Sequence, residues 1–395
     1  MRTINGRGDV SRVSNELELG VHGVDARKVI PDLKGVCAVP EVNRRDVVEI
    51  NASLARDVEE LNAMSRDAVR QLVSEVEAMG GSVYGGGRVI EDVSQVMPAI
   101  YRTTAISDTF GRGMLGINSQ QVVIGVSEEQ LGLDIYNFFR AASPVIVAMS
   151  ASSPYHYRED GSLECTGSLS GRIGTYLQAC SRFPDAMCRD IPRLNSMGQY
   201  GQYLQMVSDQ LNDGLRNNSF DTNWAALTGD GIYPFTTIAP HQMLWLIRPR
   251  PDHRINGCCE FSVELRMADM PVSRNRIATI NSFVMGLSYY IADNGAESVP
   301  FPFSDFSVNR VISAARYGLN SNIDGTNLRG AARQLRAYAS DGLRDRGFYK
   351  EEQQLNKTMA GILGGDTDAE MILRQRPSDA TEFRNYLINE MRAEG

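Results

Sequence analysis

Asn15-Glu16-Leu17-Glu18-Leu19 and, far downstream, Phe261-Ser262-Val263-Glu264-Leu265-Arg266-Met267 decide the fold. Both alternate polar and apolar residues, the period of a strand with one face in a core and the other turned away from it. Residues 47–50 and 121–126 read as further short strands. Helical periods lie between them. Leu61, Met64, Ala68, Leu72, Val76 and Met79 recur every three or four residues, and Gly80-Gly81 supplies a stop. Ser127 with Gln130 predicts a capping box ahead of Leu131, Ile135, Phe138 and Phe139. Ile277, Ile280, Val284, Leu287 and Ile291 mark a helix after the second quoted strand, and from residue 305 onward the chain reads as mostly helical. Strands and helices mix without a steady βαβ rhythm, which predicts an α+β class. No fixed-period repeat and no Pro- or Ser-rich linker divides the 395 residues, so a single domain over 1–395 is expected, with 305–395 as its helical C-terminal part.

A composition of 42% hydrophobic and 22% charged residues excludes disorder, collagen-like repeats and coiled coil. The net charge of -8 and pI near 5.2 lack the basic footprint of a general nucleic-acid binder. Of 40 basic residues only Lys28, Lys34, Lys350 and Lys357 are lysines, so the cations are overwhelmingly guanidinium. Residues 1–20 carry charges and no apolar stretch, unlike a secretory signal. Apolar runs such as 144–149 are too short to span a bilayer. The six cysteines form no C-x-x-C and no disulfide framework. A cytoplasmic protein with free thiols and no membrane partner is the expectation.

Several catalytic signatures fail. The Gly-rich stretch 80–87 lacks the Gly-Lys-Ser/Thr of a P-loop and reads as the end of a helix and the start of a strand. Gly167-Ser168-Leu169-Ser170-Gly171 has Leu where a nucleophile elbow needs Ser. His22, His156, His241 and His253 form no H-E-x-x-H. A serine, cysteine or zinc hydrolase is disfavoured.

Glu16 and Glu18 carry more information. Two apart on a strand, they share a face while Leu17 and Leu19 take the other. Two such carboxylates repel unless water, cations or basic side chains intervene, and Mg²⁺ is one natural solution because it takes oxygen ligands. On spacing alone a solvated strand face is the plainer explanation. Glu264 and Arg266 repeat the device with opposite charges, either as a metal-and-phosphate face or as a cross-strand ion pair. Arg248 and Arg250 stand upstream between prolines.

In order along the chain, these segments resemble the glutamate–cysteine ligases and their carboxylate–amine ligase relatives. Glu16-Leu17-Glu18 resembles that family's E-x-E, and Val48-Glu49-Ile50-Asn51 its V-E-[IL]-T. Gln121-Val122-Val123-Ile124-Gly125-Val126 resembles a strand written H-V-H-V-G-V or Q-V-N-L-D. Met149-Ser150-Ala151-Ser152-Ser153-Pro154-Tyr155 and the region 168–176 with Arg172 resemble A-x-S-A-S-S-P-[FY] and S-x-R-x-x-[IT]-W, with the Trp absent. Residues 247–251 and 263–269 resemble R-x-x-P followed by E-[IM]-R-x-x-D, and Ala314-Ala315-Arg316-Tyr317-Gly318-Leu319 matches A-A-R-[YF]-G-L.

The resemblance implies an α+β fold similar to glutamine synthetase, a curved antiparallel β-sheet funnel flanked by helices that holds nucleotide and metals. It implies ATP and Mg²⁺, with glutamate or a similar carboxylate phosphorylated and then attacked by an amine such as cysteine. Glu16, Glu18, Glu49 and Glu264 would be metal ligands, Gln121 a nucleotide or metal contact, and Arg266 the neutraliser of transferring phosphate. Arg172 would serve nucleotide or acyl phosphate, and Arg248 either phosphate or the substrate α-carboxylate. A homo-oligomer follows from family habit alone. Val123 stands where other members carry His or Asn, and residues 193–240 match no family segment. Another amine acceptor, or a non-catalytic binding protein on the same fold, are the alternative readings.

Overall fold

The computed structural model describes residues 8–30, 37–40, 45–88, 116–157, 162–180, 191–216, 246–250 and 261–393. His241, His253, Cys188, Cys258 and Cys259 lie outside them. In chain order the strands are β1 (Val10–His22), β2 (Cys37–Pro40), β3 (Val47–Ala55), β4 (Ser82–Tyr84), β5 (Ser119–Val126), β6 (Tyr155–Tyr157), β7 (Leu163–Cys165), β8 (Ile247–Pro249), β9 (Phe261–Asp269), β10 (Asn322–Ile323) and β11 (Thr326–Asn327). The helices are α1 (Ala26–Val29), α2 (Val58–Ala78), α3 (Glu129–Ser150), α4 (Gly171–Cys180), α5 (Met197–Arg216), α6 (Arg274–Asn294), α7 (Val308–Tyr317), α8 (Leu328–Asp345), α9 (Tyr349–Gly364), α10 (Asp368–Gln375) and α11 (Ala380–Arg392).

The four segments read as strands fall within β1, β3, β5 and β9. They pair antiparallel in the order β2-β3-β1-β5-β9-β8, with β4 also on β1. Register places Glu18 opposite Glu49, Glu16 opposite both Asn51 and Gln121, and Glu264 opposite both Val123 and Arg248. Register shifts interrupt β1 near its N-terminal end, between Val10 and Arg12 against β5 and between Val13 and Asn15 against β3, and β5 between Gln120 and Val122. Such bulges bend a strand and raise its twist. At the β5 bulge two consecutive glutamines divide between faces. Gln120 bonds Ile277 O and Asn281 Oδ1 on the helical side, while Gln121 turns to the glutamates.

The apolar face explains why the sheet folds. Leu17, Leu19, Val48 and Ile50 pack with Val69, Leu72 and Val76 of α2 and Ile277 of α6. Val122, Ile124, Val263 and Leu265 pack with α3 and α6. Burial of each such side chain contributes about 1.5–3 kcal/mol. Helix α2 begins at Asp57, whose side chain accepts from Glu60 N, and ends ahead of Gly80, whose φ of +83° suits only glycine without strain. Met79 ends the periodic run just past the helix and is 41% exposed rather than core, because the chain turns away at Gly80.

The expected capping box at Ser127 and Gln130 does not form. Helix α3 starts at Glu129 without a side-chain cap. Ser127 Oγ instead accepts from Asp9 N at 2.6 Å, fastening the entry to β1, and Gln130 donates to Asp134. Beyond residue 305 the chain is helical apart from the β10–β11 hairpin, as expected. Helices α6 and α8 cross where Gly286 meets Ala339 O and Gly342 meets Gly286 O; an added Cβ would lie 2.2 and 2.1 Å from those oxygens. The α+β class, antiparallel sheet and helical C-terminal part are those expected from the sequence. Among the described residues no helix is long and apolar enough to cross a membrane.

Candidate active site

The sheet face away from the helices gathers the charges. Strand alternation puts Glu16 and Glu18 of β1 there, and register adds Glu49 of β3, Gln121 of β5 and Glu264 with Arg266 of β9. Glu18 is buried; its Oε2 accepts from Ser119 N (2.5 Å) and Ser119 Oγ (2.9 Å). Gln121 Nε2 donates to Glu16 Oε1 (2.5 Å) and Glu18 Oε1 (3.3 Å), bridging the two carboxylates. Its own Oε1 is buried without a hydrogen-bond partner among the described residues. Glu49 accepts from Asn51 Nδ2 at 2.6 Å.

This group is short of positive charge. Burial, and then the neighbouring Glu49, push the Glu16 carboxyl up to about 8, against the pull of Arg266. Burial likewise raises Glu18, partly offset by Arg172 and the Ser119 hydroxyl.

Glu264 has the opposite surroundings. It is 1% exposed and holds three guanidinium groups. Arg248 grips it in a fork, Nε to Oε2 at 2.6 Å and Nη2 to Oε1 at 2.9 Å. Arg266 Nη1 donates to Oε1 at 2.6 Å, and Arg250 Nη1 lies 3.1 Å from Oε2. Burial alone would raise its pKa, yet Arg266, Arg248 and Arg250 together bring it down to about 2. Burial lowers Arg248, while Arg266 ends above its ordinary value because Glu264, Tyr176 and Glu16 outweigh its burial.

Arg172, in the first turn of α4, is buried. Its Nη2 donates to Arg266 O at 2.8 Å, and its guanidinium carbon lies 5.0 Å from the centre of the Tyr176 ring. That ring stands where the resemblance has Trp. Nearby, Arg88 Nη1 donates to His156 Nδ1 at 2.7 Å and its Nη2 to Gly171 O at 3.1 Å, clasping the same turn. Burial lowers Arg88 to about 10, with Asp269 opposing.

Every residue assigned from sequence therefore reaches this face or its rim. The acidic set divides, however. Glu16, Glu18 and Glu49 occupy neighbouring positions on β1 and β3, whereas Glu264 is paired to arginines. Among the described residues no three acidic, histidine or cysteine groups are drawn close enough to form a ready ligand set. The sequence reading gave no role to Ser119, Arg250, Arg88 or Asp269, although it named Arg250 beside Arg248 and Asp269 at the end of the 263–269 segment. Ser119 and Arg250 were findable, each lying two positions along an extended segment from an assigned residue. Arg88 offered no signal, because its contacts are all long-range. Val123, opposite Glu264, brings an apolar side chain onto the charged face.

The fold is thus an α+β one, an antiparallel sheet with helices on one face and acidic and guanidinium groups sorted side by side on the other. The sequence pattern of Glutamate-cysteine ligase family 2 (GCS2) matches residues 4–384, and the chain belongs to that family. Curated relatives provisionally named glutamate–cysteine ligase 2 include those of Methylibium petroleiphilum, 24% identical over 72% of this chain and 66% of that protein. The relative from Bordetella parapertussis is 24% identical over 64% of this chain and 52% of its own length. The chain thus spans about half to two thirds of the length of the curated relatives it matches. Among solved structures, glutamate–cysteine ligase from Francisella tularensis in complex with AMP superposes with a TM-score of 0.64 at 11% identity, over 98% of this chain and 88% of that one. A bifunctional glutathione synthetase from Pasteurella multocida gives 0.57 at 10% identity, over 98% of this chain and 52% of that one. At these identities the structural likeness shows the fold.

Proposed function

We propose that the chain is an ATP-dependent carboxylate–amine ligase that forms a γ-glutamyl amide, with cysteine as the default amine. One observation carries this: a cation-seeking pole (Glu16, Glu18, Glu49) and an anion-seeking pole (Arg248, Arg250, Arg266) lie side by side on one sheet face. A magnesium-bound triphosphate has that same polarity.

The residues fit Mg²⁺ in part. Glu16 and Glu18, with insufficient counter-charge, offer hard oxygen ligands beside Gln121 Oε1, which has no hydrogen-bond partner among the described residues, and Glu49 stands across from Glu18 on β3. Glu16, Glu18 and Glu49 would hold the cation, with Gln121 beside them. Glu264 joins them only by giving up arginines, and in this arrangement it sets their positions. The ion would supply charge neutralisation on the phosphates.

The chain's own groups supply the rest. A substrate carboxylate oxygen attacks the γ-phosphorus of ATP, the bond to the β-phosphate bridging oxygen breaks, and ADP leaves. The amine nitrogen then attacks the acyl carbon, phosphate departs, and the amine loses a proton to solvent. Charge collects on the transferring phosphoryl oxygens in the first step and on the leaving phosphate in the second. Arg266 and Arg172 are pre-oriented donors for that charge and need no reorganisation. Arg248 is available to either phosphate or the substrate α-carboxylate.

Purified protein with Mg²⁺, ATP and glutamate should release phosphate when the correct member of an amine panel, cysteine included, is added. Absence of turnover with every amine, alongside intact ATP binding, would move the assignment to a binding protein on this fold. A non-catalytic binding protein on this fold is the second reading, favoured by Val123, which puts an apolar side chain opposite Glu264 where the resemblance has His or Asn, and by Tyr176 where it has Trp.

A further inference from the structure

Asp269 closes β9 and is 1% exposed. It is an acceptor for two segments distant in sequence. Its Oδ2 receives Ser152 N at 3.1 Å and Ser153 Oγ at 2.6 Å; its Oδ1 receives Ser170 Oγ at 2.8 Å. Arg172 Nη1 stands 4.0 Å from Oδ1. The serines continue the connection. Ser153 Oγ accepts from Arg172 N at 3.1 Å, Gly171 N donates to Ser153 O at 2.9 Å, and Ser152 Oγ receives Gly87 N at 2.9 Å.

Gly87 is explained by the same carboxylate. A Cβ there would sit 2.7 Å from Asp269 Oδ2, so glycine is what allows the backbone to close over the acid. Ser152, Ser153 and Ser170 therefore share one partner, and Gly87, the last glycine of the 80–87 run, packs over it.

A buried carboxylate with no counter-charge and a buried guanidinium with none are each costly, and each is tolerated here because of the other. Among the described residues Arg172 Nε and Nη1 have no hydrogen-bond partner, and Nη2 bonds Arg266 O. Its direction is thus set by the turn that carries it and by the charge of Asp269. On its other side the Arg172 charge favours ionisation of Glu18 in the acidic pole.

We propose that Asp269 is a positioning residue of the active site. It fixes the first turn of α4 through Ser153 and Ser170 and supplies the counter-charge that keeps the Arg172 guanidinium aimed at the phosphate-bearing substrate. The proposal rests on the ligase reading through the role given to Arg172. A carboxylate serving only as a structural pin would lower stability without acting through Arg172, and that difference is measurable.

The test is a double-mutant cycle on the full chain, read as ATP affinity in MgCl₂ by calorimetry, with thermal unfolding of every variant as the control. Asp269→Asn should weaken ATP binding about tenfold, as should Arg172→Ala, and the double variant should be no more than about threefold weaker than Arg172→Ala alone. Multiplying effects in the double variant, or Asp269→Asn binding ATP as well as the parent while Arg172→Ala does not, overturns the proposal. If the parent binds ATP and Arg172→Ala binds equally well, the role given to Arg172 is wrong and the proposal falls with it; if the parent binds no ATP, the ligase reading itself fails. Should Asp269→Asn not fold, Ser170→Ala removes the hydroxyl that donates to Asp269 and accepts, at 3.4 Å, from Ile173 N, and is read through the same cycle, with about a threefold weakening expected only where Arg172 is present.

Discussion

Glu18 and Glu49 face each other as direct cross-strand partners on β1 and β3. Like charges in that relationship oppose sheet formation by a few tenths to about 1 kcal/mol. Removing one should therefore stabilise the metal-free protein. Glu49→Gln keeps an acceptor for Asn51 and is expected to raise stability by about 0.5 kcal/mol in urea titrations without metal. With the proposed Mg²⁺ site, added MgCl₂ should stabilise the parent and stabilise this variant less. A variant that is less stable without metal would mean that Glu49 contributes a favourable contact beyond this pairing.

Glu264 behaves differently because its neighbours are cations. Glu264→Gln leaves Arg248, Arg250 and Arg266 crowded around a neutral amide. Breaking a buried pair from one side costs about 3–5 kcal/mol. The expected outcome is a sharply lower urea midpoint together with loss of turnover. An unchanged midpoint would show that the arginines find other partners or water.

Glu16 makes the metal-free protein pH-sensitive. Its carboxyl is raised from 4.5 to about 8, so between those values the folded state keeps a proton that the unfolded chain has released. Stability from this residue therefore falls as pH rises from about 4.5 to about 8 and levels off above. The stability difference between parent and Glu16→Gln, followed across that window, isolates the effect; a difference independent of pH would contradict it. Mg²⁺ must displace that proton, so affinity should increase with pH up to about 8, with proton release visible as buffer-dependent binding heats.

Gly87→Ala tests the enclosure of Asp269 without touching a charge. The new methyl would meet a carboxylate that three hydrogen bonds hold in place. Overpacking of this kind costs about 1–3 kcal/mol. A thermal midpoint equal to the parent's would show that the 85–88 segment moves aside freely.

Much of the fold was legible because period-two and helical spacing report directly on burial. Leu17 and Leu19 are buried because their neighbours are polar, and the alternation says so. The capping box was misread because Ser127 has two competing uses, and only the position of Asp9 reveals which prevails. In the site, the face shared by Glu16 and Glu18 could be read, since it depends on adjacent residues of one strand. That Glu264 pairs with arginines was one of two readings left open for the Glu264–Arg266 face, and the alternation could not choose between them.

By itself the sequence determined which residues share a strand face, which runs are helical, and the ordered segments that place the chain in its family. Those properties rest on neighbours within a few positions, where chain geometry is fixed by the repeat of the backbone. Tertiary structure alone decided the partnerships: Glu18 with Glu49, Glu264 with three arginines, and Asp269 with the serines on either side of Arg172. Electrostatic energy depends on distance through space and on how much water is excluded, and neither quantity is written in the order of the residues.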